Sequence, residues 1–226
     1  MLPRSLIGLC LAAIFLTILS GIIDWRWLGF IAKPIILVSL ILLVLIQTKS
    51  IVSAEKSLLL GALIFSWAGD MLLMFQPYNE LFFLLGLSAF LIAHIFYISF
   101  FLRIRRNERL PLFGWPFMLV GAYYLSLIFL LTPHLREMKI PVWIYGFVIS
   151  AMMAMALHMR YLRDRRAGSQ LLLGAGLFVI SDSLLAINKF YQTFSFAGGF
   201  VILTYGLAQI FLVKGAIQYL SSGHKE

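Results

Sequence analysis

Charge is scarce in this 226-residue chain: Asp, Glu, Lys and Arg together make up 12% of it, against about a quarter in soluble domains. Too few polar side chains remain to cover a water-facing globule, so a separate soluble domain is excluded. Cysteine is nearly absent. The one residue, Cys10, rules out an intrachain disulfide and a thiolate metal cluster, and its apolar surroundings make it a small packing residue. The signatures of soluble enzymes are missing too: no GxSxG nucleophile elbow, no HExxH zinc helix, no GxGxxG dinucleotide turn and no phosphate-binding P-loop. GxxxG is absent as well, so close glycine-mediated dimerisation has no support and the oligomeric state stays open.

What the chain has is hydrocarbon. It is 62% hydrophobic with a mean hydropathy of +0.98, and its connections are short, about ten residues at the longest. Eight apolar segments are long enough to span a bilayer, near 5–23, 30–47, 57–75, 81–102, 112–132, 141–160, 169–188 and 197–219. The alternation of a β-barrel is missing, and continuously apolar spans must satisfy their own backbone, which helices do. The expected fold is therefore all-α: a polytopic integral membrane protein, one transmembrane domain over 1–226. The first segment follows Arg4 as a signal peptide would, but no small-x-small cleavage site precedes Asp24, so it is expected to be kept as a span.

The net charge of +9 does not point to nucleic acid, because its distribution is that of a topology signal. RIRRNER (103–109) and RYLRDRR (160–166), with Arg4, Lys49, Lys56 and Lys225, place twelve basic residues on one side; Arg26, Arg136, Lys139 and Lys189 make four on the other. By the positive-inside rule both termini are cytoplasmic, and the even number of spans, which puts them on one side, agrees. The basic clusters also suit anionic head groups. Short tails and no retention signal fit a bacterial inner membrane.

Against this apolar background stand two aspartates, Asp70 in FSWAGDMLLMF and Asp182 in FVISDSLLAI, each about fourteen residues into its own segment. A carboxylate at that depth costs about 2.5–3.5 kcal/mol on insertion scales, so it is rarely there without a task. Each is followed by a Leu-Leu pair. LLLGALIFSWAGD (58–70) parallels LLLGAGLFVISD (171–182), and AHIF (93–96) parallels AQIF (208–211). The parallels suggest a duplication, 1–110 and 111–226, with four spans per repeat and a pseudo-two-fold axis along the membrane normal; chance similarity between Leu-rich segments is the alternative.

Two carboxylates at matched depth can share one cavity and hold unlike protonation states, giving an acid and a base at neutral pH. Lys33, beside Pro34, is the natural counter-charge for one of them or for a substrate phosphate, and snorkelling is its bland alternative. Asn188 and Lys189 are expected at the cavity mouth. His94 falls about 20 Å from the outer end of its segment, deeper than the aspartates. It is a proton relay or a structural hydrogen-bonding group, with Tyr97 three residues on. Tyr205 and Gln209 share a face at i, i+4 and, like Tyr97, are expected to present polar tips to the cavity and its substrate, with interhelical hydrogen bonding the alternative. One histidine and two aspartates at unlike depths make a poor zinc set, so no metal and no cofactor is expected.

The blocks FSWAGDMLLM, FLLGLSAFLIAHIFY, FVISDSLLAINKF and YGLAQIFLVKG, with Lys33-Pro34, resemble the YhhN/TMEM86 family of membrane proteins, whose characterised members are lysoplasmalogenases. The resemblance runs through nearly the whole chain. It implies hydrolysis of the vinyl ether bond of lysoplasmalogens, giving a fatty aldehyde and a glycerophospho-ethanolamine or -choline. That reaction begins with protonation of an alkene carbon, and Asp70 and Asp182 are the residues suited to it as acid and base. The implied partners are a lysophospholipid and the bilayer, with no nucleic acid. The competing expectation is a proton-coupled small-molecule or lipid transporter, which midplane carboxylates in parallel repeats permit.

Overall fold

The computed structural model describes residues 2–222; Lys225, counted above on the basic side, lies outside the described residues. Eight long helices follow one another: α1 (Leu2–Ile22), α2 (Arg26–Gln47), α3 (Ala54–Met74), α4 (Leu81–Asn107), α5 (Trp115–Leu131), α6 (Lys139–Leu157), α7 (Arg165–Ala186) and α8 (Ala197–Ser222). All eight are long and apolar enough to cross a membrane, and no strand occurs among the described residues. The eight-span all-α expectation is borne out.

Two boundaries differ from the expected ones in an informative way. Helix α4 runs on to Asn107, carrying Arg103, Arg105 and Arg106 as its last turns rather than as loop. Basic residues complement the carbonyl end of the helix dipole, so continued helix is favourable there. Helix α7 does not stop near Asn188 but passes into a π-helical turn, Ile187–Tyr191, closed by the Gln192 amide on the Ile187 carbonyl at 2.9 Å.

The helices pair as neighbours in sequence, α1 with α2, α3 with α4 and α7 with α8. Helix α8 also packs on α1 and α2, and α4 packs on α6. Helix α5 stands at the edge, held by α6 and by the turns beside it, with Phe129 and Met118 turned outward. The α7–α8 pair is close because Gly174 leaves room: a Cβ there would lie 2.7 Å from the Leu212 amide nitrogen and 2.8 Å from the Ala208 carbonyl oxygen. Backbone on both sides cannot yield as a side chain can.

Polar ties at the basic end hold the pairs in register. Glu55, buried at the start of α3, accepts from Arg103 Nε at 2.7 Å and from Asn107 Nδ2 at 2.9 Å on α4. Asp164 caps α7 by accepting from the Arg166 and Ala167 amides, and Gln218 and Ser222 of α8 reach its carboxylate at 2.9–3.1 Å. Burial works against its charge, but these donors outweigh it and hold the carboxyl below the usual carboxylate range. Its contribution is therefore kept at and above ordinary carboxylate pH and lost as pH falls through the lowered value. Buried His158 accepts from the Phe113 amide at 3.1 Å through Nε2, with Nδ1 2.8 Å from the Ala154 carbonyl oxygen, pinning the α4–α5 connection to α6.

Gly174→Ala should lower the thermal midpoint in detergent, at a cost of about 1–3 kcal/mol for forced overpacking. Gly8→Ala, where an added Cβ meets nothing within 4 Å, should leave it unchanged. Equal midpoints for the two would show that the α7–α8 approach does not limit stability.

Candidate active site

Toward the end opposite the basic clusters, α2, α3, α4, α6, α7 and α8 enclose a cavity of about 200 Å³. Asp70 and Asp182 both line it, with Lys33, Tyr145 and Tyr205 beside them and Gln76 and Phe83 toward the loop side. The two aspartates therefore share one space, from helices that meet around it only in three dimensions.

Their partners are unlike. Asp70 is 2% exposed. Its Oδ1 lies 3.2 Å from Lys33 Nζ on α2, and its Oδ2 accepts the Tyr205 hydroxyl of α8 at 2.7 Å. A cation and a phenol donor offset part of the cost of burying this carboxylate. Lys33 stands where Pro34 interrupts the helix ladder of α2. Asp182 receives the Tyr145 hydroxyl of α6 on its Oδ2. The His94 Nε2 of α4 lies 3.0 Å from that hydroxyl and 3.4 Å from Asp182 Oδ2. Among the described residues no lysine or arginine pairs with Asp182.

The contact between His94 and Asp182 corrects the expected difference in depth. Counting the rise along straight helices put His94 well below the aspartates. Cα–Cβ bonds, however, tilt toward a helix's N-terminus. Helices α4 and α7 run in opposite directions, so the His94 side chain leans toward the cavity and Asp182 leans back toward it. The gap closes from both sides.

Beneath the carboxylates the floor is aromatic. Phe178 meets His94 at 4.7 Å and Tyr205 at 5.4 Å between ring centroids, and Phe90 meets Tyr205 at 5.8 Å. Phe90 fits because Gly69 has no Cβ; one there would lie 2.7 Å from the ring. Tyr97 and Gln209 lie in the layer below, bonded to each other at 2.7 Å and fully buried, and neither lines the cavity. One turn of helix beyond His94 and Tyr205 puts them about 5 Å too deep to touch its contents. They support the floor and do not meet a ligand there.

At the mouth the two expected residues part company. Lys189 places its ammonium 5.0 Å over the ring of Phe83, which lines the cavity. Asn188 turns away, accepts the Phe194 amide at 3.3 Å, and lines a separate groove between α1 and α8. Helix spacing is the reason: at about 100° per residue Asn188, six positions after Asp182, falls about 120° off the Asp182 face, whereas Lys189, seven positions on, returns to it. Tyr145 is the site residue that the sequence did not mark, since a tyrosine within an apolar span carries no spacing or motif of its own. Among the described residues no group of three or more His, Cys, Asp and Glu is placed to hold a metal.

A family model described as the YhhN family matches residues 28–216. The chain is 33% identical over 164 residues to the lysoplasmalogenase TMEM86B of Mus musculus, which covers 71% of this chain and 64% of that protein. It is 32% identical to the Homo sapiens lysoplasmalogenase TMEM86B over 162 residues, again 71% and 64%. A lysoplasmalogenase of Mycobacterium tuberculosis is 31% identical over 168 residues, 73% of this chain and 62% of that one. The chain thus spans just under two thirds of the length of these curated relatives. No solved structure matches it.

Lys33→Met should destabilise the protein by about 3–5 kcal/mol, because it leaves the Asp70 charge buried without its partner. Adding Asp70→Asn to that variant should restore most of the loss, read as thermal midpoints at neutral pH. A double variant no more stable than Lys33→Met would mean that Lys33 matters for packing and not for charge.

Proposed function

The chain belongs to the YhhN family, and from that membership we propose that it is a lysoplasmalogenase of the membrane, hydrolysing the vinyl ether bond of a lysophospholipid by carboxylate acid–base catalysis. The observation that carries this reading is the pair of aspartates on one cavity with unequal partners. Relatives named lysoplasmalogenase favour the enzyme over a transporter.

Asp70, beside the Lys33 ammonium, is the standing anion. Asp182, without a lysine or arginine, carries the proton, on the oxygen that Tyr145 does not occupy. Two carboxylates in one enclosed space do not both ionise readily, which enforces the division. Asp182 transfers its proton to the tail-side alkene carbon; the π electrons form the new C–H bond, and positive charge develops on the ether-bearing carbon and its oxygen. Asp70 faces that charge, as the second carboxylate of a glycosidase faces its oxocarbenium ion. Tyr145 and His94 supply hydrogen-bond donors to the Asp182 carboxylate as its charge appears.

Water then adds to the cationic carbon and returns a proton to Asp182. The resulting hemiacetal loses its hydroxyl proton as its bond to the glycerol oxygen breaks, and that oxygen takes up a proton. One water is consumed, an aldehyde and an alcohol leave, and both aspartates end as they began. Lys189 at the mouth suits the phosphate of the glycerol portion better than Lys33 does, since Lys33 is already engaged by Asp70. With the basic clusters cytoplasmic, as the positive-inside rule has it, the mouth opens toward the other leaflet.

Asp70→Asn and Asp182→Asn should each reduce aldehyde release from a 1-alkenyl lysophospholipid by about 10²–10⁴-fold, the range for loss of a general acid or base. The measurement uses purified, folded protein in detergent. Wild-type-like turnover by either variant would remove that residue from the chemistry.

A further inference from the structure

A second space touches the cavity on its α7 side. It is a narrow, mostly apolar fissure of about 40 Å³ between α5, α6 and α7, walled by Leu127, Ile128, Val142, Ile149 and Val179. Asp182 and Tyr145 line both the cavity and the fissure, whereas Asp70, Lys33 and Tyr205 line the cavity alone. Asp182 therefore stands on the border between the space that holds Lys33 and the second carboxylate and one that has no lysine, arginine or further carboxylate in its lining.

We propose that the fissure takes the first methylenes of the substrate's single hydrocarbon chain and is the path by which the rest of the chain reaches the bilayer, with Asp182 at the point where the chain meets the ether. This rests on the vinyl ether reading above. In such a lipid the tail-side alkene carbon is the last polarised atom before the methylenes. The acid that protonates it must stand where the polar space ends, and the chain must continue past that acid. Below the aspartates the aromatic floor blocks any path, so the chain leaves sideways.

Helix α5 is the wall able to move. It is the peripheral helix, and Leu125 and Phe129 on it are turned outward at 65% and 86% exposure. Its hydrogen bond to α7 joins the Tyr123 hydroxyl and Ser183 Oγ at 2.5 Å, beside apolar clusters in which Val120 and Leu131 of α5 are grouped with Leu172 and Ala186 of α7. Breaking that bond and swinging α5 outward opens the fissure to the bilayer along its length. Gly146 keeps the passage narrow but unblocked: an added Cβ would lie 3.0 Å from the Tyr124 ring and 3.6 Å from Ile128.

The test uses wild-type protein and a lysophosphatidylethanolamine with a diazirine at mid-chain, irradiated with and without excess unmodified lysolipid. Competitor-sensitive label is expected on segments 123–131, 142–150 and 179–186. Label concentrated on residues 17–22 and 198–203, the groove between α1 and α8, would overturn the assignment, as would label spread over the lipid-facing surface and insensitive to competitor. Labelling needs no turnover, so failure of wild type to release aldehyde would strike the reaction and leave the fissure to be judged by the label. With an active enzyme, Gly146→Leu should lower the long-chain to short-chain ratio of kcat/KM by about tenfold. An unchanged ratio would equally overturn the proposal.

Discussion

Two carboxylates placed where no bulk water can solvate them set the terms for the rest of this molecule. Each must be met by donors, and one helix cannot supply them, since a helix commits its own amides to its own carbonyls. The donors therefore come from four other helices: Lys33 from α2 and Tyr205 from α8 for Asp70, Tyr145 from α6 and His94 from α4 for Asp182. The bundle's topology follows the same need. Helix α8, which carries Tyr205 to Asp70, packs against α1, α2, α3 and α7, while α5, which supplies neither aspartate with a donor, stands at the edge.

The partners also follow a pattern. In each half of the chain the aspartate lies on the third helix. It takes one partner from the second helix of its own half and one from the fourth helix of the other. A parallel duplication would produce this exchange, and the segment likeness of 58–70 to 171–182 supports one. Within the pattern the side chains differ: Lys33 in one half answers to Tyr145 in the other.

The fold was legible in the sequence because hydrocarbon thickness is a strong constraint. Segments such as 57–75 and 197–219 have few ways to be wrong, and α3 and α8 fall on them within a few residues. The aspartates were legible for a related reason, since a charge in a long apolar run stands out by its cost. The relations between helices were not. Rise per residue along one helix cannot reveal that antiparallel neighbours tilt their side chains toward each other, so the meeting of His94 with Asp182 was hidden. The π turn at 187–191 leaves no mark in INKFY, whose residues would serve an ordinary helix end as well. Tyr145 shows the deepest limit: its importance lies wholly in facing Asp182, a residue 37 positions away.

Unlike partners are what would make two identical side chains useful for the proposed chemistry. Two aspartates in equivalent surroundings would compete for one proton, and neither would be committed to giving or lacking it. A lysine on one side and a tyrosine–histidine pair on the other remove that degeneracy without altering either aspartate or the backbone that carries it. In the proposed division of labour the lysine stands opposite the charge of Asp70, while Tyr145 and His94 would serve Asp182 as donors when it gives up its proton. The same side chains that make the carboxylates tolerable in the bundle thereby make them different from each other. On the proposed chemistry, stability and reactivity would rest on one set of hydrogen bonds, so a substitution at Lys33 or Tyr145 would act on both together.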